Sequence, residues 1–96
     1  FRRVLFRSNK RDEKEIELFV DGVFVEAGGI PNNSYLPKDV ITNSLGEIIT
    51  DKEGKTNIPG LFAAGDVTDN KNKQVIIAAG EGAVAALTAH DYLLRN

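Results

Sequence analysis

Two short stretches of this chain hold the residue types from which a ligand site is built. The first is Gly65-Asp66-Val67, which follows the apolar run Leu61-Phe62-Ala63-Ala64. Glycine lets a ligand approach the backbone, and the carboxylate emerges where that run ends, the position at which open α/β sheets bind their ligands. A carboxylate there accepts hydrogen bonds from hydroxyls such as a ribose or ribitol carries, each worth about 1.5–3 kcal/mol when charge-assisted. A plainer reading stands beside this one: Gly65-Asp66 turns the chain and Asp66 caps it. The second stretch is Lys73-Gln74-Val75, at the start of a proline-free, alanine-rich segment. A helix beginning there offers unpaired N–H groups and a positive dipole end to an electron-rich partner. Lys73 either adds a positive charge at the same place or is solvated.

The pattern along the chain describes the scaffold. Glu15 to Val20 alternates polar and apolar residues, which predicts a half-buried strand, and Asp21-Gly22 supplies a turn. Val23 to Ala27 is β-branched and aromatic, which predicts a second strand ending at Gly28-Gly29, before the loop residues Ile30-Pro31-Asn32-Asn33. Val40-Ile41-Thr42 and Glu47 to Thr50 read as a small hairpin around Asn43 to Gly46, followed by a solvated turn at residues 51–55. Leu61 to Ala64, between Pro59-Gly60 and Gly65-Asp66, suits a strand buried on both faces. From Gln74 to Leu94 the spacing predicts one long helix with rows of small residues at Ala78, Ala79, Gly82, Ala83, Ala86 and Ala89. Gly80 and Gly82 each cost about 1 kcal/mol of helix propensity relative to alanine. Two such costs predict a close contact that a larger side chain would block.

Bulk properties set the limits. Ninety-six residues make one small domain with little stability margin. A composition of 42% hydrophobic and 27% charged residues places the chain among soluble globular proteins, and no apolar run reaches the ~20 residues of a membrane helix. The formal charge of −2 supplies no basic field for nucleic acid. Cysteine is absent, so disulfides, thiolate zinc sites and thiol nucleophiles are excluded within these residues, and any redox chemistry depends on a bound cofactor or on residues elsewhere. Asp12, Glu13, Glu15 and Glu17 lack calcium-loop spacing and read as a solvated strand face, and no metal site is expected. The octet Phe1 to Ser8 stands apart, with three arginines and no acid. Its residues Arg3 to Ser8 match what the genetic code yields from a common sequencing-adaptor oligonucleotide. Residues 1–8 are therefore expected to be non-native, with residues 9–96 as the structural unit; a basic edge strand is the alternative. Without the three arginines, nine of the twelve basic residues face fourteen acidic ones, a formal −5.

Three motifs in order carry a resemblance. Ile58-Pro59-Gly60-Leu61-Phe62-Ala63-Ala64-Gly65-Asp66-Val67, then Lys73-Gln74-Val75-Ile76-Ile77-Ala78-Ala79-Gly80-Glu81-Gly82-Ala83, preceded by Gly22 to Asn32 closing in Gly-x-x-Pro-Asn, resemble the thioredoxin-reductase-like pyridine nucleotide-disulfide oxidoreductases. The match runs from about Lys10 to Asn96 and includes low-molecular-weight thioredoxin reductases and the flavoprotein subunit of alkyl hydroperoxide reductase. It implies an α/β fold: the C-terminal part of a Rossmann-like FAD/NAD(P)-binding domain, with short strands, a small hairpin and one long C-terminal helix.

By this resemblance the cofactor-binding residues are Gly65, Asp66, Val67, Lys73, Gln74 and Val75. Asp66 would bond a ribitol hydroxyl of FAD, Gly65 would allow close approach, and Gln74 with the Val75 N–H would lie against the flavin pyrimidine ring. Lys73 stands where the family usually has a basic residue. No catalytic residue is implied here. The family's Gly-x-Gly-x-x-Gly, NAD(P)H site and Cys-x-x-Cys are all absent from the 96 residues, so the chain alone is expected to be inactive. The implied activity is that of a parent flavoenzyme moving electrons from NAD(P)H through FAD to a protein disulfide. Thioredoxin or a peroxiredoxin-type protein is the implied partner, in a cytoplasmic homodimer. A ferredoxin–NADP reductase of the same type and a non-catalytic binding module are the alternatives. His90, near the helix C-terminus, reads as stabilised by the dipole rather than catalytic, and Glu81 as either structural or a support behind a site residue rather than a catalyst.

Overall fold

The computed structural model describes residues 3–8, 13–26 and 28–96, the first six as backbone. Three regular elements follow in order: β1 (Arg3–Ser8), β2 (Glu15–Val20) and α1 (Val75–Arg95). β1 and β2 pair antiparallel from Arg3 opposite Val20 to Ser8 opposite Glu15. β1 lies within the octet that the sequence sets apart. The ladder of an antiparallel pair is made by backbone groups, and so is open to any hexapeptide of adequate strand propensity, whatever its origin.

β2 has the predicted bounds but not the predicted burial. Glu15 to Phe19 are all exposed and only Val20 is half-buried, because a two-stranded ribbon has no further layer to cover either face. Among the described residues the ribbon touches no other regular element. The chain is accordingly long, with a radius of gyration of 19.3 Å, against about 13 Å for a compact domain of this size. Asp12, of the predicted acidic face, lies outside the described residues; Glu13, Glu15 and Glu17 are exposed as expected.

The predicted strand at Val23 to Ala27 does not form. Residues 23–26 are irregular, with Phe24 96% exposed, and Ala27 lies outside the described residues. Strand propensity has effect only where a second strand supplies ladder partners, and among the described residues none lies beside this segment.

Residues 33–70 form a set of turns around Ile48, Thr68 and Ala85, the three buried residues among those described. The predicted hairpin is present in its narrowest form, a single bridge between Thr42 and Ile48, and Ile48 also bridges Thr68 in parallel. Its N–H donates to the Val67 carbonyl at 2.8 Å, and its carbonyl accepts from the Asp69 N–H at 3.0 Å. Two turns use the same device. Asn43 Oδ1 accepts the Leu45 and Glu47 N–H groups, and Asp51 Oδ1 accepts those of Glu53 and Lys55. Side-chain oxygens that bond the backbone two and four residues on are why Asn and Asp favour turns over ladders.

Leu61 to Ala64 is extended and half-buried, with one bridge between Phe62 and Lys55. The buried strand expected there is thus reduced to a bridge, since one neighbour covers one edge and no second sheet layer covers the faces.

α1 begins within one residue of the prediction. It docks on the turns through residues at helical spacing: Ala78 beside Gly65, Ala85 beside Gly54, and Tyr92 beside Gly60. The Tyr92 and Phe62 rings meet edge to face, with centroids 6.0 Å apart. Among the described residues, and apart from the helix's own neighbouring backbone, nothing lies within 4 Å of where a Cβ would stand at Gly80 or Gly82. Within the chain, the close contacts of the helix are with Gly54 and Gly65, which have positive φ and sit in the turns. The opposite face of α1 leaves Ile76, Leu87 and Leu94 exposed. No helix among the described residues is long and apolar enough to cross a membrane.

Candidate functional site

The Gly65 turn is held from three directions. At φ +83 Gly65 occupies left-handed backbone that a side chain strains to adopt. Its carbonyl accepts the Thr68 N–H at 2.9 Å and the Thr68 hydroxyl at 2.8 Å. Its N–H donates to Glu81 Oε2 on α1 at 2.7 Å. Thr68 is 1% exposed, so this anchor is shielded from competing water. Asp66 and Val67 form the corner of the turn. Asp66 is exposed, and among the described residues its carboxylate accepts no hydrogen bond from the chain. Asp66 therefore caps nothing here, and its acceptor oxygens face outward.

Asp66, Val67 and Lys73 line one cavity of ≈ 680 Å³ together with Gly28, Gly29, Ile30, Pro31 and Asn32. That volume is within the range of about 300–1,000 Å³ common to small-molecule sites. Two motifs separated by more than thirty residues thus face one space, and Val25, Glu26, Tyr35 and Glu47 complete its wall. A second groove of ≈ 600 Å³, lined by Asp51, Asp69, Glu81 and Val84 among others, touches none of the six predicted site residues.

Lys73 is half-buried and paired rather than free in solvent. Its ammonium pairs with Glu47 Oε1 at 2.9 Å and donates to the Thr68 carbonyl. The positive charge expected at the helix start is therefore already engaged. Glu47 Oε2 also accepts from Asn43 Nδ2 at 2.7 Å. This amide hydrogen bond first, and then the bond and charge of Lys73, hold the Glu47 carboxyl below its ordinary value of 4.5. A depressed acid contributes stability above the unfolded value and loses it as pH falls through the folded one. Thermal unfolding of the chain is accordingly expected to become easier as pH drops below 4.5, and Glu47→Gln should remove that part of the acid dependence. Melting curves of the two proteins over this range check it, and parallel profiles would contradict it.

Gln74 is the N-cap residue of α1, with extended backbone and no capping bond from its side chain. The first helical bond runs from the Ala78 N–H to the Gln74 carbonyl at 2.9 Å, so the N–H groups of Val75, Ile76 and Ile77 have no helical acceptor. Val75 is 88% exposed. The helix start is open to an electron-rich group, although neither Gln74 nor Val75 lines the cavity. His90 is exposed near the far end of α1. Among the described residues no group of acids and histidine could hold a metal ion.

These features fit a flavin nucleotide: a carboxylate free to accept from hydroxyls, glycines at the wall with nothing within 4 Å of Gly28 or Gly29, and unpaired helix N–H groups. Reasoning from sequence missed Glu47, which the hairpin brings to Lys73, and Asn43, which holds Glu47 there. It placed Glu81 as structural without its partner, Gly65, sixteen residues away.

The profile of the family described as pyridine nucleotide-disulphide oxidoreductase matches residues 4–82. The F subunit of alkyl hydroperoxide reductase in Staphylococcus aureus strain Mu50 is 57% identical over 79 residues, covering 82% of this chain and 16% of that protein. Its Staphylococcus epidermidis counterpart is 54% identical over 77 residues, covering 80% and 15%. Among solved structures, thioredoxin reductase of Lactococcus lactis superposes with a TM-score of 0.81 at 33% identity, over 97% of this chain and 31% of that one. Thioredoxin reductase of T. acidophilum gives 0.77 at 34% identity, over 95% and 30%. The chain thus spans less than a third of the length of each of these relatives. A profile that covers most of the chain and relatives above half identity over four fifths of it agree with the geometry, and the chain belongs to the pyridine nucleotide-disulphide oxidoreductase family, with the fold of part of its Rossmann-like FAD/NAD(P)-binding domain.

Proposed function

We propose that residues 9–96 are the C-terminal part of the FAD-binding domain of a longer flavoenzyme, which moves electrons from NAD(P)H through FAD to a protein disulfide in the manner of thioredoxin reductase. The observation that carries this reading is the convergence of the Gly28 to Asn32 loop with Asp66, Val67 and Lys73 around one cavity. Asp66 accepts hydrogen bonds from the ribitol hydroxyls, and the left-handed turn at Gly65 keeps the backbone close behind it. The open helix start at Gln74-Val75, beyond the cavity wall, would offer its N–H groups to the electron-rich pyrimidine edge of a flavin extending past that wall, and would stabilise negative charge there without a titrating group. Lys73 acts as one half of an ion pair and thereby fixes the cavity wall. FAD, when bound, supplies hydride acceptance from the nicotinamide and electron release to the disulfide.

Identity of 57% to the F subunit of alkyl hydroperoxide reductase favours a peroxiredoxin-type protein as a second candidate for the electron acceptor beside thioredoxin. A cytoplasmic homodimer is part of the same proposal. So is an adaptor origin for residues 1–8, which resequencing the source locus tests. The function is tested by purifying the longer protein and adding NAD(P)H without oxygen. Bleaching of a visible flavin band, followed by reduction of a thioredoxin or peroxiredoxin-type disulfide, is expected. A colourless protein, or a flavin that NAD(P)H does not bleach, would overturn the reading.

A further inference from the structure

Glu81 joins the flavin site to the final helix by two bonds from one carboxylate. Oε2 accepts the Gly65 N–H at 2.7 Å, and Oε1 accepts from the Asn70 side-chain amide. Glu81 is half-buried and lies between Ala78, which packs on Gly65, and Ala85, which packs on Gly54. The two ends of the segment from Gly65 to Asn70 are therefore held by one side chain, while Thr68 closes the turn from within. Asp66 sits between these anchors with its carboxylate free. A carboxylate serves both donors at once, whereas a carboxamide has one acceptor oxygen and turns an N–H₂ toward the other donor.

We infer that Glu81 is a positioning residue for FAD: through the Gly65 N–H and the Asn70 amide it sets where the Asp66 carboxylate stands, and so sets flavin affinity without touching flavin. The inference rests on the proposed flavin site and adds a residue outside the cavity wall. A side chain that acts through Asp66 has its effect only while Asp66 is present. One that merely fastens helix to turn lowers stability whether or not Asp66 is there.

A double-mutant cycle in the longer protein separates the two, with FAD affinity measured by titrating the apoprotein and its unfolding midpoint recorded in parallel. Glu81→Ala is expected to weaken FAD binding about ten-fold in the wild-type background. It is expected to change it less than about two-fold when Asp66 is already alanine. Glu81→Gln is nearly isosteric and keeps the bond to Gly65, so it should fold and fall between wild type and alanine. Equal losses in both Asp66 backgrounds would overturn the inference, as would unchanged affinity on Glu81→Ala while Asp66→Ala weakens binding. A wild-type protein without affinity for FAD, or one indifferent to Asp66→Ala, would instead overturn the flavin site itself.

Discussion

Replacing Asp66 with alanine in the longer protein is expected to weaken FAD retention by about 10–100-fold, the equivalent of one charge-assisted hydrogen bond lost at about 1.5–3 kcal/mol. The expectation follows from the position of the residue. Asp66 stands at the corner of a turn anchored through Gly65 and Thr68, yet its own carboxylate accepts nothing from the chain among the described residues. Removing an exposed carboxylate that has no partner among the described residues should leave folding almost untouched, since surface changes away from packed or bonded groups stay within about 0.5 kcal/mol. The distinguishing signature is flavin loss at constant stability. Flavin content after gel filtration, with the apoprotein melting curve beside it, measures both. Full flavin content in the variant would refute the ribitol role, and a large fall in apoprotein stability would point to a bond within the fold.

The second large effect concerns folding. Gly54 has φ +74, and a Cβ there would meet the Ala63 carbonyl oxygen at 3.1 Å and the Ala85 Cβ at 3.1 Å. Both neighbours are fixed: Ala63 donates its N–H to the Gly54 carbonyl at 2.9 Å, and Ala85 is a buried helix residue. Gly54→Val combines left-handed strain of about 1–3 kcal/mol with overpacking of about 1–3 kcal/mol. The sum is a large part of the about 5–15 kcal/mol that holds a typical domain together. The helix should be displaced from the turns, with loss of cooperative unfolding in urea. Gly22→Ala serves as the control, because nothing lies within 4 Å of its Cβ position and its φ is ordinary. Equal urea midpoints for the two variants would show that the helix does not dock at Gly54.

The contrast between these glycines shows what could be read from the chain and why. β2 and α1 were legible because their signals are local: the period-two alternation of Glu15 to Val20 and the alanine-rich, proline-free run after Gln74. The Gly65-Asp66 turn was legible because its residue types fit only a few backbone conformations. Val23 to Glu26 misled because strand propensity describes a half-buried surface, and this segment has no neighbour among the described residues to bury it. The glycines in the helix drew attention from those in the turns, since propensity penalises Gly80 and Gly82 visibly and does not penalise Gly54 at all. Close approach is a property of both partners, and only the turn side had to be glycine.

Contacts between distant residues were the least legible part of the site. The pairing of Lys73 with Glu47 spans 26 positions and depends on the hairpin that Asn43 organises. The bond from Gly65 to Glu81 spans sixteen and depends on the pitch at which Ala78 and Ala85 seat the helix. Neither pair has a spacing that marks it. Both follow once the turns are folded, which is how a lysine expected at the flavin edge came to be held by a glutamate in the wall.

The cavity lined by the Gly28 to Asn32 loop, the Asp66 turn and Lys73 is the proposed flavin site. A crystal structure of the longer protein with FAD tests it most directly. Ribitol density is expected in this cavity, with a hydroxyl oxygen within about 3 Å of an Asp66 carboxylate oxygen. Flavin density bound elsewhere, with the Asp66 carboxylate facing solvent, would contradict it.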